Sequence, residues 1–314
     1  MRLIAIEDKS TGHNRPLFAL VNELSKLQQT EVIKLKLNDD LSSFARTITP
    51  SNFSKTLIIG AGHQSHKKIK SLKKFFLKHK NVFSVALMKP TFGIKQYDLV
   101  ITPKHDFGKS KLPSNVITHE GSLAEVSFVE TLKDTLLIAI GGPTAKMQFQ
   151  DKLLLSNISH ILNVHPHHKV FLCNSRRTPQ DLWNKVTKMD HALLNIFDVE
   201  NTSTEKFQHL IATSSKKFVT PDSINLVSEC LSSMGATYVI QANDVITKQS
   251  TFSFRRNKFN DYYESIKSKG LIGYVGVVGI GQASITQIHK PQIKNSPMCE
   301  VEKVAYEIKK RLEK

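Results

Sequence analysis

Apolar positions along the chain fall in short continuous runs, separated by longer stretches where they recur at helical spacing. Residues 3–6, 32–37, 57–59, 82–87, 98–102 and 115–118 read as buried strands, followed by 136–140, 170–174, 192–197, 218–220 and 237–240. Between them, Leu17, Leu20, Val21 and Leu24, and later Ile69, Leu72 and Phe76, mark one face of a helix each. Strands alternating with helices predict a parallel α/β sheet. The clearest unit spans 217–241. Its first strand stops before Pro221, which lacks an N–H and disfavours helix at the residue before it. Asp222 is the expected N-cap, and Leu226, Val227, Cys230, Leu231 and Met234 form the buried helix face. Gly235 stands where a C-cap is expected before the next strand. Glu229, two helical turns after Asp222, is expected to share its face.

The loops after the strands carry the candidate chemistry. Residues 7–16 (EDKSTGHNRP) form a polar loop, with Pro16 suited to the first turn of the following helix. His13, His63, His105 with Asp106, and His119 with Glu120 all follow strands, and parallel strands would gather them along one sheet edge. Residues 122–134 read as a helix or linker. In the motif 140–144 (IGGPT), Gly141 and Gly142 allow close backbone approach to a ligand, and Pro143 and Thr144 suit a helix start. Arg176 and Arg177 end another strand, and guanidinium forks match phosphate oxygens. The chain is therefore read as two Rossmann-like domains facing a cleft, 1–132 and 133–314, with the last helix packing back on the first domain. No G-x-G-x-x-G fingerprint and no Walker A motif occur, which disfavours a dinucleotide oxidoreductase or a P-loop NTPase.

Composition adds a charge argument. The 314 residues are 40% hydrophobic and 23% charged, as in a globular protein of two domains. Lys+Arg 44 against Asp+Glu 27 gives +17, an excess that points to an acidic partner. It is densest at 65–80, where Lys67, Lys68, Lys70, Lys73, Lys74, Lys78 and Lys80 occur without an acid. That stretch is either a solvated surface helix or a patch docking on anionic lipid or polyphosphate. It lacks the interleaved aromatics of single-strand binding platforms, so nucleic acid is not the expected partner. Cys173, Cys230 and Cys299 make no disulfide framework, and the histidines of 165–169 (HPHHK) fit no standard zinc spacing. No metal or cofactor is expected. Residues 3–6 read as a strand and not a signal peptide, and the longest apolar run, 271–280, is broken by glycines and too short for a bilayer. The expected location is cytoplasmic, peripheral on the inner face of a membrane.

Six stretches together resemble a known family: DKSTGHNR (8–15), DLVITPKHD (98–106), NVITHEGS (115–122), IGGPT (140–144), NSRRTP (174–179) and TPDSINLVSE (220–229). In order and spacing they resemble the ELM1 family, named for a plant mitochondrial fission factor and in turn similar to GT-B glycosyltransferases and nucleotide-sugar epimerases. The resemblance implies that Gly141, Gly142 and Thr144 face a donor diphosphate and that Ser175, Arg176 and Arg177 add anion contacts. It implies that Asp222 and Ser223 open a phosphate-holding helix, that Glu229 holds the ribose, and that Gly12 and His13 face the acceptor. His13, or Asp106 with His105, would be the general base. This sequence carries Lys9, Ser10 and Thr11 where the family has more Gly and Pro. Three functions follow from the resemblance: a metal-independent transferase using a nucleotide diphospho-sugar, a non-enzymatic membrane adaptor, and a nucleotide-sugar epimerase.

Overall fold

The computed structural model describes residues 1–48, 54–108, 111–145, 147–243, 258–280, 283–293 and 296–313. They form two compact units, Met1–Glu125 with Cys299–Lys314, and Val126–Met298. In the first unit, β1 (Arg2–Glu7), α1 (Thr11–Leu27), β2 (Glu31–Lys36), α2 (Leu41–Thr47), β3 (Thr56–Ala61), α3 (His63–Phe75), β4 (Val82–Leu87), β5 (Leu99–Pro103) and β6 (Val116–His119) follow one another. All the pairings are parallel, in the order β2-β1-β3-β4-β5-β6. The apolar runs became strands because both faces of the sheet are covered. Ile4, Ile6, Ile58, Val82, Ala86 and Val100 lie in one core with Ile69, Leu72 and Phe76. Each such aliphatic side chain contributes about 2 kcal/mol when fully buried.

The second unit holds β7 (Leu132–Ala139), α4 (Asp151–Asn163), β8 (Lys169–Cys173), α5 (Gln180–Val186), β9 (Leu194–Phe197), α6 (Thr204–Thr213), β10 (Ser214–Val219), α7 (Ile224–Leu231), β11 (Ala236–Ile240), α8 (Lys258–Ser268), β12 (Gly273–Ile280) and β13 (Ala283–His289). The order is β13-β12-β11-β10-β7-β8-β9, parallel except for β13 against β12. Alternation along β7 feeds both faces. Leu136, Ile138 and Ile140 meet Leu154, Ile158, Ile161 and Trp183, while Leu137 and Ala139 meet Leu210, Val227 and Tyr262. Starting from β7, six strands run in the order of a doubly wound Rossmann fold. Lys217 of β10 is fully buried, and its ammonium donates to the carbonyl oxygens of Cys230 (2.7 Å) and Met234 (2.6 Å) and to Ser233 Oγ (2.6 Å). It thus satisfies acceptors around the end of α7, and burial pushes its pKa down to about 8.

The described residues set the boundaries of units and elements more closely than the sequence does. The units divide after Glu125, because Ser127 already bonds to Ser232 and pairs with Ser233 of the second unit. The last helix, α9 (Glu300–Leu312), belongs to the first unit. It buries Val301, Val304, Ala305 and Ile308, and Arg311 donates to the carbonyl oxygen of Ser114. No helix forms over 122–134, and β7 begins at Leu132. Pro143 and Thr144 sit in a turn, since Thr144 pairs with Met147 and α4 starts at Asp151. α3 ends at Phe75, short of Lys80. Gly235 lies beyond the end of α7, at φ +87, where a Cβ would sit 2.7 Å from the carbonyl oxygen of Ser214. No described helix is long and apolar enough to cross a membrane.

Candidate functional site

In an open parallel sheet the crevice for ligands lies where neighbouring strands send their crossovers in opposite directions. In the second unit that point is between β7 and β10. Gly141 and Gly142 follow β7, and Thr220 to Ser223 follow β10. Ser223 caps α7, its hydroxyl accepting from the Leu226 N–H at 3.3 Å. Asp222 is therefore not the N-cap. Its carboxylate instead accepts from the Gly142 N–H (3.3 Å), the Thr220 hydroxyl (2.6 Å) and the Arg177 guanidinium (2.5 Å). The Gly141 N–H donates to the Thr220 hydroxyl oxygen at 2.7 Å. Burial pushes the Asp222 carboxyl above its ordinary range, and Thr220, Arg177 and Gly142 offset that only in part.

The two glycines are required by this packing. A Cβ on Gly141 would lie 2.1 Å from an Asp222 carboxylate oxygen, and one on Gly142 would lie 2.0 Å from the carbonyl oxygen of Arg177. Both amides are engaged within the site, that of Gly141 by Thr220 and that of Gly142 by Asp222. Thr178 fixes the arginine loop. Its hydroxyl lies 2.8 Å from the carbonyl oxygen of Ile140 and 2.7 Å from that of Gly141, and it accepts from the Ser175 N–H. The Ser175 hydroxyl accepts in turn from the Arg177 N–H. Arg176 and Arg177 are both exposed. Thr144 closes its turn with Met147. Glu229 accepts from Gln208 of α6 at 3.0 Å. The spacing argument for Glu229 fails because Asp222 precedes the helix and does not share its periodicity.

The switch point of the first unit lies between β1 and β3. α1 begins at Thr11, so Gly12 and His13 stand in its first turn and not in a loop. The Asp8 carboxylate accepts from the Ser10 N–H (3.0 Å), and Asn14 returns two bonds to the Asp8 backbone (2.9 and 2.8 Å). These ties start the helix early and leave Pro16 in its second turn. His13 Nδ1 lies 3.4 Å from Asp8 Oδ1, with the imidazole 35% exposed. Gly62, at φ +88 after β3, leaves room for that ring: a Cβ there would be 2.5 Å from Nδ1. Burial acts to raise the Asp8 carboxyl, but the Ser10 amide and His13 outweigh it and hold it below the usual range. Beside it, Glu7, Asp8, Lys9, Lys36, Leu37, Asn38 and Asp39 line a cavity of about 230 Å³. Its rim is fixed by Lys68, which donates to the carbonyl oxygens of Lys36 (2.7 Å), Leu37 (2.8 Å) and Asp39 (2.6 Å).

His105 and Asp106 form a short turn after β5, where Asp106 accepts from the Thr102 hydroxyl at 2.9 Å. Their charges act on His119, whose burial lowers its pKa to about 4. The Glu120 N–H donates to Glu300 of α9 at 2.7 Å. Of the basic run, Lys68 is committed to the backbone and Lys73 pairs with Asp98, whereas Lys67, Lys74, Lys78 and Lys80 are exposed. Sequence reasoning missed Asp8, Gly62, Thr178 and Thr220. Only the local spacing of Asp8 from His13 carried a signal. The other three act across contacts between distant loops.

The family model described as "Mitochondrial fission ELM1" matches residues 11–312. "Uncharacterized protein RP120" of Rickettsia prowazekii (strain Madrid E) is 23% identical, covering 98% of each chain. Among solved structures, the chain is similar to the UDP-GlcNAc 2-epimerase from Neisseria meningitidis bound to UDP-GlcNAc, at 11% identity, 76% of this chain, 82% of that one and a TM-score of 0.48. It is also similar to the E. coli ADP-heptose lps heptosyltransferase II, at 10% identity, 76% of this chain, 84% of that one and a TM-score of 0.47. The family match runs from the first turn of α1 to the end of α9, and the chain belongs to the mitochondrial fission ELM1 family.

Proposed function

We propose that the protein binds a nucleotide diphospho-sugar through its second unit and transfers the sugar to an acceptor hydroxyl without a metal ion. The observation that carries this reading is the arginine loop at the β7/β10 switch point, with Arg177 anchored on Asp222 and Arg176 exposed beside it. Two guanidinium groups and the Ser223-capped start of α7 would hold the diphosphate and stabilise it as a leaving group. In the first unit, His13 would take the acceptor proton while Asp8 orients the ring. The test is calorimetry with UDP, ADP and CMP. Binding of one of them in the micromolar range, lost in Arg177→Ala, is the expected result, and no binding by any would sink the reading. Conversion of a nucleotide-sugar without any acceptor would instead identify an epimerase.

A second reading, docking on an anionic membrane surface, is supported by α3 and the turn after it. Lys67, Lys70, Ser71, Lys73, Lys74, Leu77, Ser84 and Gln96 line a groove of about 660 Å³. Phe75 and Leu77 are 50% and 75% exposed beside the lysines. A basic face with protruding apolar side chains suits the boundary between headgroups and acyl chains. In this reading the acceptor is a lipid-linked molecule at that surface.

A further inference from the structure

The β7/β10 switch point is an anion receptor that already contains an anion. Three loops converge there: the Gly142 amide from the loop after β7, Arg177 from the loop after β8, and the Thr220 hydroxyl from the loop after β10. All three donate to one carboxylate, that of Asp222. Its side chain has 0% exposure, whereas that of Arg177 is 49% exposed. The arginine thus bridges a sealed negative charge and the solvent. Gly141 has no room for a Cβ because this carboxylate occupies the space. A tyrosine of α8 also reaches the loop. Tyr263 of α8 donates its hydroxyl to the Pro221 carbonyl oxygen at 2.7 Å, and burial raises its pKa well above the ordinary value. Tyr263 is therefore neutral, and among the described residues Arg177 is the cation that pairs with Asp222.

We propose that Asp222 is a built-in surrogate for a ligand phosphate that sets how strongly the arginine loop takes an external anion. With Asp222 ionised, it cancels the charge of Arg177, and Arg176 supplies the remaining attraction. Removing that negative charge while keeping the side chain's size leaves both guanidinium groups free to act on a diphosphate. The affinity for pyrophosphate should then rise by about tenfold, the scale of one unit charge acting over roughly 6 Å at an effective dielectric of about 40. Asp222 acts on the ligand through Arg177 and is a specificity determinant, not a catalytic residue. This inference rests on the anion-binding reading of the site given above, and deepens it.

The experiment is calorimetry of the full chain with inorganic pyrophosphate and with UDP at fixed ionic strength, on the wild type, Asp222→Asn, Arg177→Ala and the double variant. Folding is checked by melting and circular dichroism. The expected result is about tenfold tighter pyrophosphate binding by Asp222→Asn, with the gain absent from the double variant. Should Asp222→Asn not fold, Asp222→Thr makes the same test, since it also removes the negative charge and keeps a polar side chain. Binding by the wild type that needs Arg177 but is unchanged or weakened in the folded Asp222 variant overturns the surrogate role and leaves the donor-site reading standing. Absence of binding by every variant overturns both. A gain that persists in the double variant also overturns the proposal, because the affinity would not then pass through Arg177.

Discussion

Asp222 illustrates how a single side chain can be placed against its own ionisation. Burial dominates its environment, so it titrates higher in the fold than in the open chain. Between the ordinary carboxylate pKa of about 4 and the raised value, the native state binds more protons than the unfolded one. Stability therefore falls as pH rises across that window. Asp222→Asn removes this slope. Urea titrations from pH 4 to 7 should show the wild type losing stability relative to the variant as pH rises, and parallel curves would contradict the assignment. His119 has the opposite sign. Its pKa is depressed to about 4 from an ordinary 6.5, so its contribution is present at neutral pH and is lost as pH falls through that range. The full linkage amounts to roughly 3 kcal/mol at about 1.4 kcal/mol per pH unit. His119→Gln should flatten this acid limb, which the same titrations would reveal.

At the scale of elements, the strands were legible in the sequence because a parallel sheet covered on both faces needs uninterrupted apolar runs, and LIAI, LLIAI and TYVI are such runs. The start of α1 was not legible. Its first turn is Thr-Gly-His-Asn, poor helix formers that bury no apolar face, and the helix begins there because Asp8 and Asn14 bond to the backbone around it. The pairing of Asp222 with Gly142 and Arg177 was equally hidden, since it depends on which loops the sheet order brings together. The glycine motif is legible as two glycines but not as to what they accommodate. The structure answers with backbone and a carboxylate, so Gly142→Ala should cost about 3 kcal/mol or more, because a Cβ cannot fit against the Arg177 carbonyl. Denaturant midpoints would measure it, and a loss under 1 kcal/mol would mean that the arginine loop gives way easily. The basic run at 65–80 divides into distinct duties that composition could not separate: Lys68 holds the backbone after β2, Lys73 holds Asp98, and Lys67 and Lys74 face solvent.

For the whole molecule, the excess of positive charge becomes a prediction about surfaces. Vesicles with acidic phospholipid should retain the protein at low salt and release it as ionic strength rises, while neutral vesicles should not. Lys67→Glu with Lys74→Glu should weaken retention strongly, at about 1 kcal/mol for each lysine charge removed near the surface. Both residues are exposed, so the fold should tolerate the change, and unaltered co-sedimentation would exclude the α3 face as the docking surface. Lys217 behaves differently from all these surface amines. With its ammonium sealed beneath α7, it is withheld from amine-acylating reagents for as long as that helix stays in place. Its mass adduct, followed by peptide mapping, therefore works as a clock for the opening of α7. Pyrophosphate at the arginine loop should slow that clock if ligand binding and the seating of α7 are coupled.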